Sequence, residues 1–412
     1  MKLGRQYSAV MIGVIILVAL NLCPGLTAVG PVTSFIQVDT GLSTPGMGYL
    51  ASVPVLCMGL GALMTPGIIR RIGLDVTVVV GLSALACVIL VRSFAPGAGL
   101  WIGTVGIGLS IGILNTTLPP IIKRDFPTRS ATVTGIYSAT LTLSSAIAAA
   151  VVVPMAGATS WQVALGCWAF MALIGLGAWG YSMKRRGTFA GHSGEPAGAG
   201  DGVGASDDAD IDDLVQNRIG LAAANRNILT IPLAWAVTAF MGTQSLLFYM
   251  FVQWLPEIEQ SHGISAESAG LHMSFFQIAG LVATLALTAL QGERRDQRPG
   301  VIASCTLWIV GLAGFLCAPG LAVIWTIIMG AGSGATFSLS LTFINTRTRS
   351  SRESSRLSGM SQSVGYMIAS VGPMLGGALG DAFGWNIVIN VAIVLACVVM
   401  AIGMFAGSDR KI

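Results

Sequence analysis

The sequence predicts an all-α membrane protein with twelve transmembrane helices arranged as two pseudo-symmetric six-helix bundles. Three observations carry this. Apolar stretches long enough to cross a bilayer recur along almost the whole 412-residue chain, basic residues fall at every second connection, and the two halves repeat each other at a near-constant offset. Hydrophobic residues make up 54% and charged residues only 10% of the chain, and mean hydropathy is +0.78, so water cannot be its main solvent.

A helix needs about 20 residues to cross roughly 30 Å of hydrocarbon. Runs of this kind cover 9–31, 46–66, 74–94, 99–121, 131–154, 161–183, 228–255, 267–290, 300–318, 321–344, 356–378 and 386–407. The first is longer than the apolar core of a signal peptide and is followed by no small-residue cleavage site, so it reads as a retained helix. All seven cysteines (Cys23, Cys57, Cys87, Cys167, Cys305, Cys317, Cys397) fall inside these runs with no CxxC pair, which argues against disulfides and a zinc site. No metal or cofactor is expected.

Orientation follows from Lys and Arg, which accumulate in short cytoplasmic loops. With both termini cytoplasmic, every basic residue except Arg92 falls in an inside segment, from Lys2 and Arg5 through Arg70, Arg71, Lys123 and Arg124 to Arg410 and Lys411. An odd number of helices would break this pattern, so it supports six plus six independently of hydropathy. The net charge of +4 then reflects topology and not nucleic-acid binding. The expected location is the inner or plasma membrane, with a lipid bilayer and a small-molecule substrate as partners and the monomer as the working unit.

Between the sixth and seventh runs the chain is rich in Gly, Ala and Asp and poor in aromatics, too polar to fold alone. The expected organisation is an N-terminal bundle over 1–183, a flexible cytoplasmic linker over 184–226 and a C-terminal bundle over 227–412. The acidic cluster of Asp207, Asp208, Asp210, Asp212 and Asp213 reads as solvated tether. The flanking halves repeat each other. "GLSTPGMGY" from Gly41 matches "GISAESAGL" from Gly263 at an offset of 222, which also carries Gly108 and Gly112 onto Gly330 and Gly334. Gly135 and Trp161 map onto Gly359 and Trp385 at 224. Agreement in the same chain order points to duplication.

A polar group in hydrocarbon needs an internal partner or a water-filled cavity, so the spans that carry polar residues line the cavity. The third, sixth, ninth and twelfth are nearly all apolar at their centres. The first, fourth, seventh, tenth and eleventh carry Asn21, Asn115, Gln244, Tyr249, Ser338, Ser340, Gln362 and Tyr366. In "ALNLCPGLTAVGP", Pro24 removes a backbone donor and Gly25 weakens the helix, freeing carbonyls beside Asn21 and supplying a bend for gating. Gln362 and Tyr366 share a helix face, as do Ser245, Tyr249 and Gln253. Amides and phenols can grip a polar or aromatic solute, although packing between helices also uses such groups.

Other patterns read as structural. "GTVGIGLSIG" has no strand before it and no acidic residue where a ribose would need one, so helix packing explains its glycines. His192 and His262 sit in expected loops and His272 near the outer end of the eighth span, with packing or solvent roles favoured over metal binding or proton relay. There is no Ser-His-Asp set, no HExxH and no Asp or Glu at the centre of a span. Transport driven by a dedicated membrane-buried carboxylate is therefore not expected.

Six plus six helices with a central linker resemble the major facilitator superfamily, although "GIIRRIGLD" is a degenerate form of its G-x-L-A-D-R-x-G-R-R loop. Arg70 stands where the Asp of a gating charge network is usual, which puts that network in doubt. "ALNLCPGLTAVGP", "LPPIIKRDFP", "GTQSLLFYMFVQWLP" and "RLSGMSQSVGYMIASVGPMLGGALGD" are similar to the cyanate permease and 2-nitroimidazole transporter (CynX/NimT) family. That family's first motif usually reads N-L-R-P, and Cys23 replaces its Arg here.

The resemblance implies a secondary transporter, not an enzyme, that moves a small polar or heteroaromatic solute by alternating access. Loss of the mid-membrane Arg argues against a small anion. Asn21, Asn115, Gln244, Tyr249, Gln362 and Tyr366 are the expected substrate contacts, with Cys23, Ser245 and Arg92 as secondary candidates. Arg92 lies near the end of a peripheral span, so snorkelling to the interface is its expected role. A drug or multidrug efflux carrier of the same fold is the second reading, against which the aromatic content of 7% weighs mildly. A polytopic enzyme or receptor is the third.

Overall fold

The computed structural model describes residues 2–95, 97–126, 129–190, 228–291, 296–348 and 351–409. The described residues form helices and no strands. Among the described residues eleven helices are long and apolar enough to cross a membrane, close to the expected limits, as in Leu74–Phe94, Ala98–Asp125 and Trp385–Ala406. The expected eleventh span is helical too but built differently, as two helices, Ser351–Ala369 and Val371–Phe383, that meet at Ser370. Its first half is rich in Ser and Arg, so it falls short on hydropathy while still packing against the second and seventh spans. The sixth-span helix continues to Ala190, past the expected start of the linker. The remainder of that segment, with the acidic cluster and His192, lies outside the described residues.

The least and the most hydrophobic spans differ in burial. The seventh and tenth spans have mean hydropathies of 1.3 and 1.5 and are 67% and 61% buried along their apolar stretches. The third and twelfth, at 2.5 and 2.8, bury only 39% and 33% and turn side chains such as Val80 and Val394 outward. Apolar atoms facing lipid need no partner, so the most hydrophobic helices take the periphery.

Duplication is visible in the packing. Gly108 and Gly112 of the fourth span lie backbone to backbone on Pro54 and Met58 of the second, and Gly330 and Gly334 of the tenth lie the same way on Phe276 and Gly280 of the eighth. An added methyl at any of these four glycines would overlap a carbonyl, which is the physical content of the repeated G-x3-G step.

The two ends of the molecule differ. One carries Arg70, Arg71, Lys123 and Arg124 and is the basic end. At the opposite, far end the halves are fused. Gln253 Nε2 donates to Thr33 Oγ1 at 2.9 Å, and the Met374 amide donates to Ser52 Oγ at 3.0 Å. Gly30 lies directly against the Val252 carbonyl. Closer to mid-depth, Gln277 donates to Ser145, and Ser274 Oγ donates to the Ala146 carbonyl at 2.8 Å. One apolar core runs through both halves there, from Val29, Ile36 and Leu50 to Phe251 and Trp254, whereas Met11, Leu118, Ile121 and Val133 form a separate core within the first half. The halves share one core at the far end, and toward the basic end the first half keeps a core of its own.

Candidate functional site

The site is built around the break in the first span. Helix Lys2–Ala19 ends in a turn at 20–23 and resumes as Pro24–Thr27, a 3-10 turn at Gly30–Val32 and Thr33–Thr40. Because Pro24 has no amide to donate, the hydrogen bonds shorten from four residues to three just before it, Asn21 to Val18 and Leu22 to Ala19, both at 3.1 Å. After it, the Val29 amide bonds to Leu26 and leaves the Gly25 carbonyl free. Arg92 Nη1 of the third span donates to that carbonyl at 2.6 Å.

This corrects the expectation that Arg92 snorkels. Its side chain is 3% exposed and turned inward, with the fourth span pressed close where Gly103 leaves room. Among the described residues no carboxylate pairs with it, and its Nε and Nη2 have no hydrogen-bond partner. Arg92 lines a small cavity bounded by both halves. Gly25, Tyr249, Gln253 and Thr104 join it there, and the remaining wall, including Leu26, Ile36, Leu50, Val55, Ile107 and Val252, is largely apolar.

On the other side of the break, Cys23 lies near Ser144 and within electrostatic range of Tyr137, Tyr249 and Tyr366. Tyr137 donates to Asn115 Oδ1 at 2.7 Å. Five spans thus converge on one polar cluster. Tyr249 belongs both to this cluster and to the cavity wall.

Asn115, Tyr249, Tyr366, Cys23, Gly25 and Arg92 are therefore gathered in one region. Asn21 is not, since its Nδ2 donates to the Leu17 carbonyl at 2.7 Å and packs against Gly175 of the sixth span. Gln244 donates to Ser245 and Gln362 to Ser358 within their own helices, and none of these four lines the cavity. Sequence reasoning missed Tyr137 and Ser144, seven residues apart and so on one helix face, because the fifth span was not counted among the polar ones.

Two further groups lie outside the site. Glu259 lies beyond the expected end of the seventh span, yet the helix runs to Ser261 and Glu259 is 0% exposed. His272 Nδ1 is 2.9 Å from its Oε2, and Thr326 Oγ1 donates to its Oε1 at 2.8 Å, tying the seventh, eighth and tenth spans together. At the basic end the degenerate loop supplies an ion pair of its own, with Arg124 reaching both Asp75 oxygens at 2.8 and 3.1 Å.

A sequence profile of the Major Facilitator Superfamily matches residues 14–295 and 245–411. The chain belongs to this superfamily. It is 34% identical over 414 residues to the 2-nitroimidazole transporter of Escherichia coli (strain K12), covering 100% of this chain and 98% of that protein. It is 25% identical over 366 residues to the cyanate transport protein CynX of the same organism, covering 88% of each. The crystal structure of a D-xylose-proton symporter superposes with a TM-score of 0.74 at 12% identity, covering 98% of this chain and 100% of that one. The resemblance read from the motifs is borne out, and the fold is that of the superfamily. This superfamily member is a multi-pass membrane transporter and not an enzyme, with a small molecule as substrate and the bilayer as solvent.

Proposed function

We propose that the protein carries a small polar or heteroaromatic solute across the cytoplasmic membrane by alternating access, as a monomer with both termini in the cytoplasm. The observation that carries this reading is the cavity at the break in the first span, bounded by both halves. Two six-helix bundles rocking about such a chamber would open it to each face in turn. Tyr249 and Gln253 would provide the stacking face and the amide, with Asn115, Tyr137 and Tyr366 beyond them. Pro24 and Gly25 would act as the joint that lets the first span bend. The relatives that transport 2-nitroimidazole and cyanate support a small solute over a bulky drug.

Purified protein in liposomes should show saturable uptake of 2-nitroimidazole or cyanate that is accelerated by the same solute on the opposite side. Tyr249→Ala should weaken apparent affinity about tenfold, equivalent to about 1.4 kcal/mol. Flux that neither saturates nor responds to solute across the membrane would overturn the carrier reading.

A further inference from the structure

Arg92 is the one feature of the cavity that a neutral solute leaves unexplained. A guanidinium in a membrane-buried position is costly and normally finds a carboxylate or several acceptors. Here one nitrogen, Nη1, is held at 2.6 Å by the Gly25 carbonyl, while Nε and Nη2 are buried without a partner. These two belong to the same edge of the guanidinium plane. Their N–H bonds run parallel, in the spacing that meets the two oxygens of a carboxylate.

Resting on the carrier reading above, we infer that Arg92 is the anchor for a monocarboxylate substrate, bound side-on through Nε and Nη2 while Nη1 stays on Gly25. The rest of the chamber defines the remainder of the molecule. Its wall is apolar on the first, second and fourth spans, and Tyr249 contributes an aromatic ring. A compact body with an aromatic or aliphatic face and a single charged end fits this lining. A dicarboxylate does not, because among the described residues no second cation lines the cavity. A linear anion such as cyanate presents one terminal atom to a two-donor edge and leaves the other donor unpaired, so it binds less well.

The bound carboxylate would also report on the break. It would neutralise the guanidinium that holds the freed carbonyl, joining solute, third span and first span in one network. That gives the solute a differential interaction with the two conformations of the carrier, as any driven switch requires.

The test uses the purified full-length protein and three probes: benzoate, its uncharged isostere nitrobenzene, and cyanate, each followed by thermal shift and titration calorimetry. Wild type should bind benzoate at least about tenfold more tightly than nitrobenzene or cyanate. Arg92→Lys keeps the charge but not the two-donor edge, and should weaken benzoate about tenfold while leaving cyanate within about threefold. Arg92→Gln should abolish the preference for benzoate over nitrobenzene. Equal affinity of wild type for benzoate and nitrobenzene would overturn the inference without any variant, as would benzoate binding that survives Arg92→Gln. If wild type exchanges 2-nitroimidazole across liposomes but does not bind benzoate, the carboxylate assignment fails and the carrier reading stands. If no solute is exchanged, the carrier reading itself fails.

Discussion

At the scale of single residues, the protein places charge where hydrocarbon makes it expensive. Arg92 carries a penalty of roughly 3 kcal/mol for a cation in the membrane, against which a charge-assisted hydrogen bond to Gly25 returns about 2 kcal/mol. Replacement by an apolar side chain of similar length should therefore cost little stability. Arg92→Met is expected to keep or raise the thermal midpoint in detergent while abolishing carboxylate-dependent stabilisation, and a drop of many degrees would show that the arginine is structural. Glu259 makes the opposite prediction. Both its oxygens are engaged, so Glu259→Ala strands His272 and Thr326 and should destabilise by about 3 kcal/mol, whereas Glu259→Gln retains an acceptor and a neutral head and should cost less than half of that. Thermal unfolding of the two variants side by side checks the ordering. Neither environment was legible in the sequence. Arg92 reads as a snorkelling residue because it lies two positions from a helix end, and only the approach of Gly103 and the freed Gly25 carbonyl, from other spans, turns it inward. Glu259 lies past the expected end of the seventh span, and the partners that bury it lie on the eighth and tenth spans.

At the scale of helices, the informative element is the broken first span. Its interruption was legible because it is a local matter: a proline without a donor followed by a glycine leaves the chain few ways to continue as helix. The direction in which each side chain leaves the break was not, since Asn21 goes to the sixth span and Cys23 to the tyrosines according to the packing around them. Pro24→Ala restores a donor to the Leu20 carbonyl and should let the helix close up. The expected result is a gain of up to about 3 kcal/mol in stability, the usual cost of an internal proline, together with slower solute exchange because the joint has stiffened. Faster exchange at raised stability would remove the break from the transport cycle. The eleventh span teaches the complementary lesson. Its polar first half would fail any hydropathy threshold, yet it holds its place through the glycine-lined contact of Gly242 with Gly365 and Ile368, and such contacts between distant segments leave only a faint trace in composition.

At the scale of the whole molecule, pseudo-symmetry and asymmetry of the ends have different origins. The repeat at offsets of 222 and 224 was readable from glycines and tryptophans because duplication preserves them in order. Which end is closed was not readable, because both conformations of a carrier satisfy the same sequence and differ only in which contacts between the halves are made. The far-end seal consists of a few polar bonds and close backbone approaches, Gln253 with Thr33, Met374 with Ser52, and Gly48 against Pro373, whose carbonyl would lie 2.8 Å from an added methyl. Contacts of this kind must part when the chamber opens the other way. Ser52 Oγ and the Met374 amide approach to 3.0 Å, which puts the two positions directly across the seam between the halves. In Ser52→Cys/Met374→Cys, oxidation should lock the seal and stop exchange, and a reductant should restore it. Each single variant carries the same seven native cysteines and should be insensitive to the oxidant. Exchange that continues unchanged through complete cross-linking would mean that the two halves need not separate at the far end, and alternating access about this chamber would have to be abandoned.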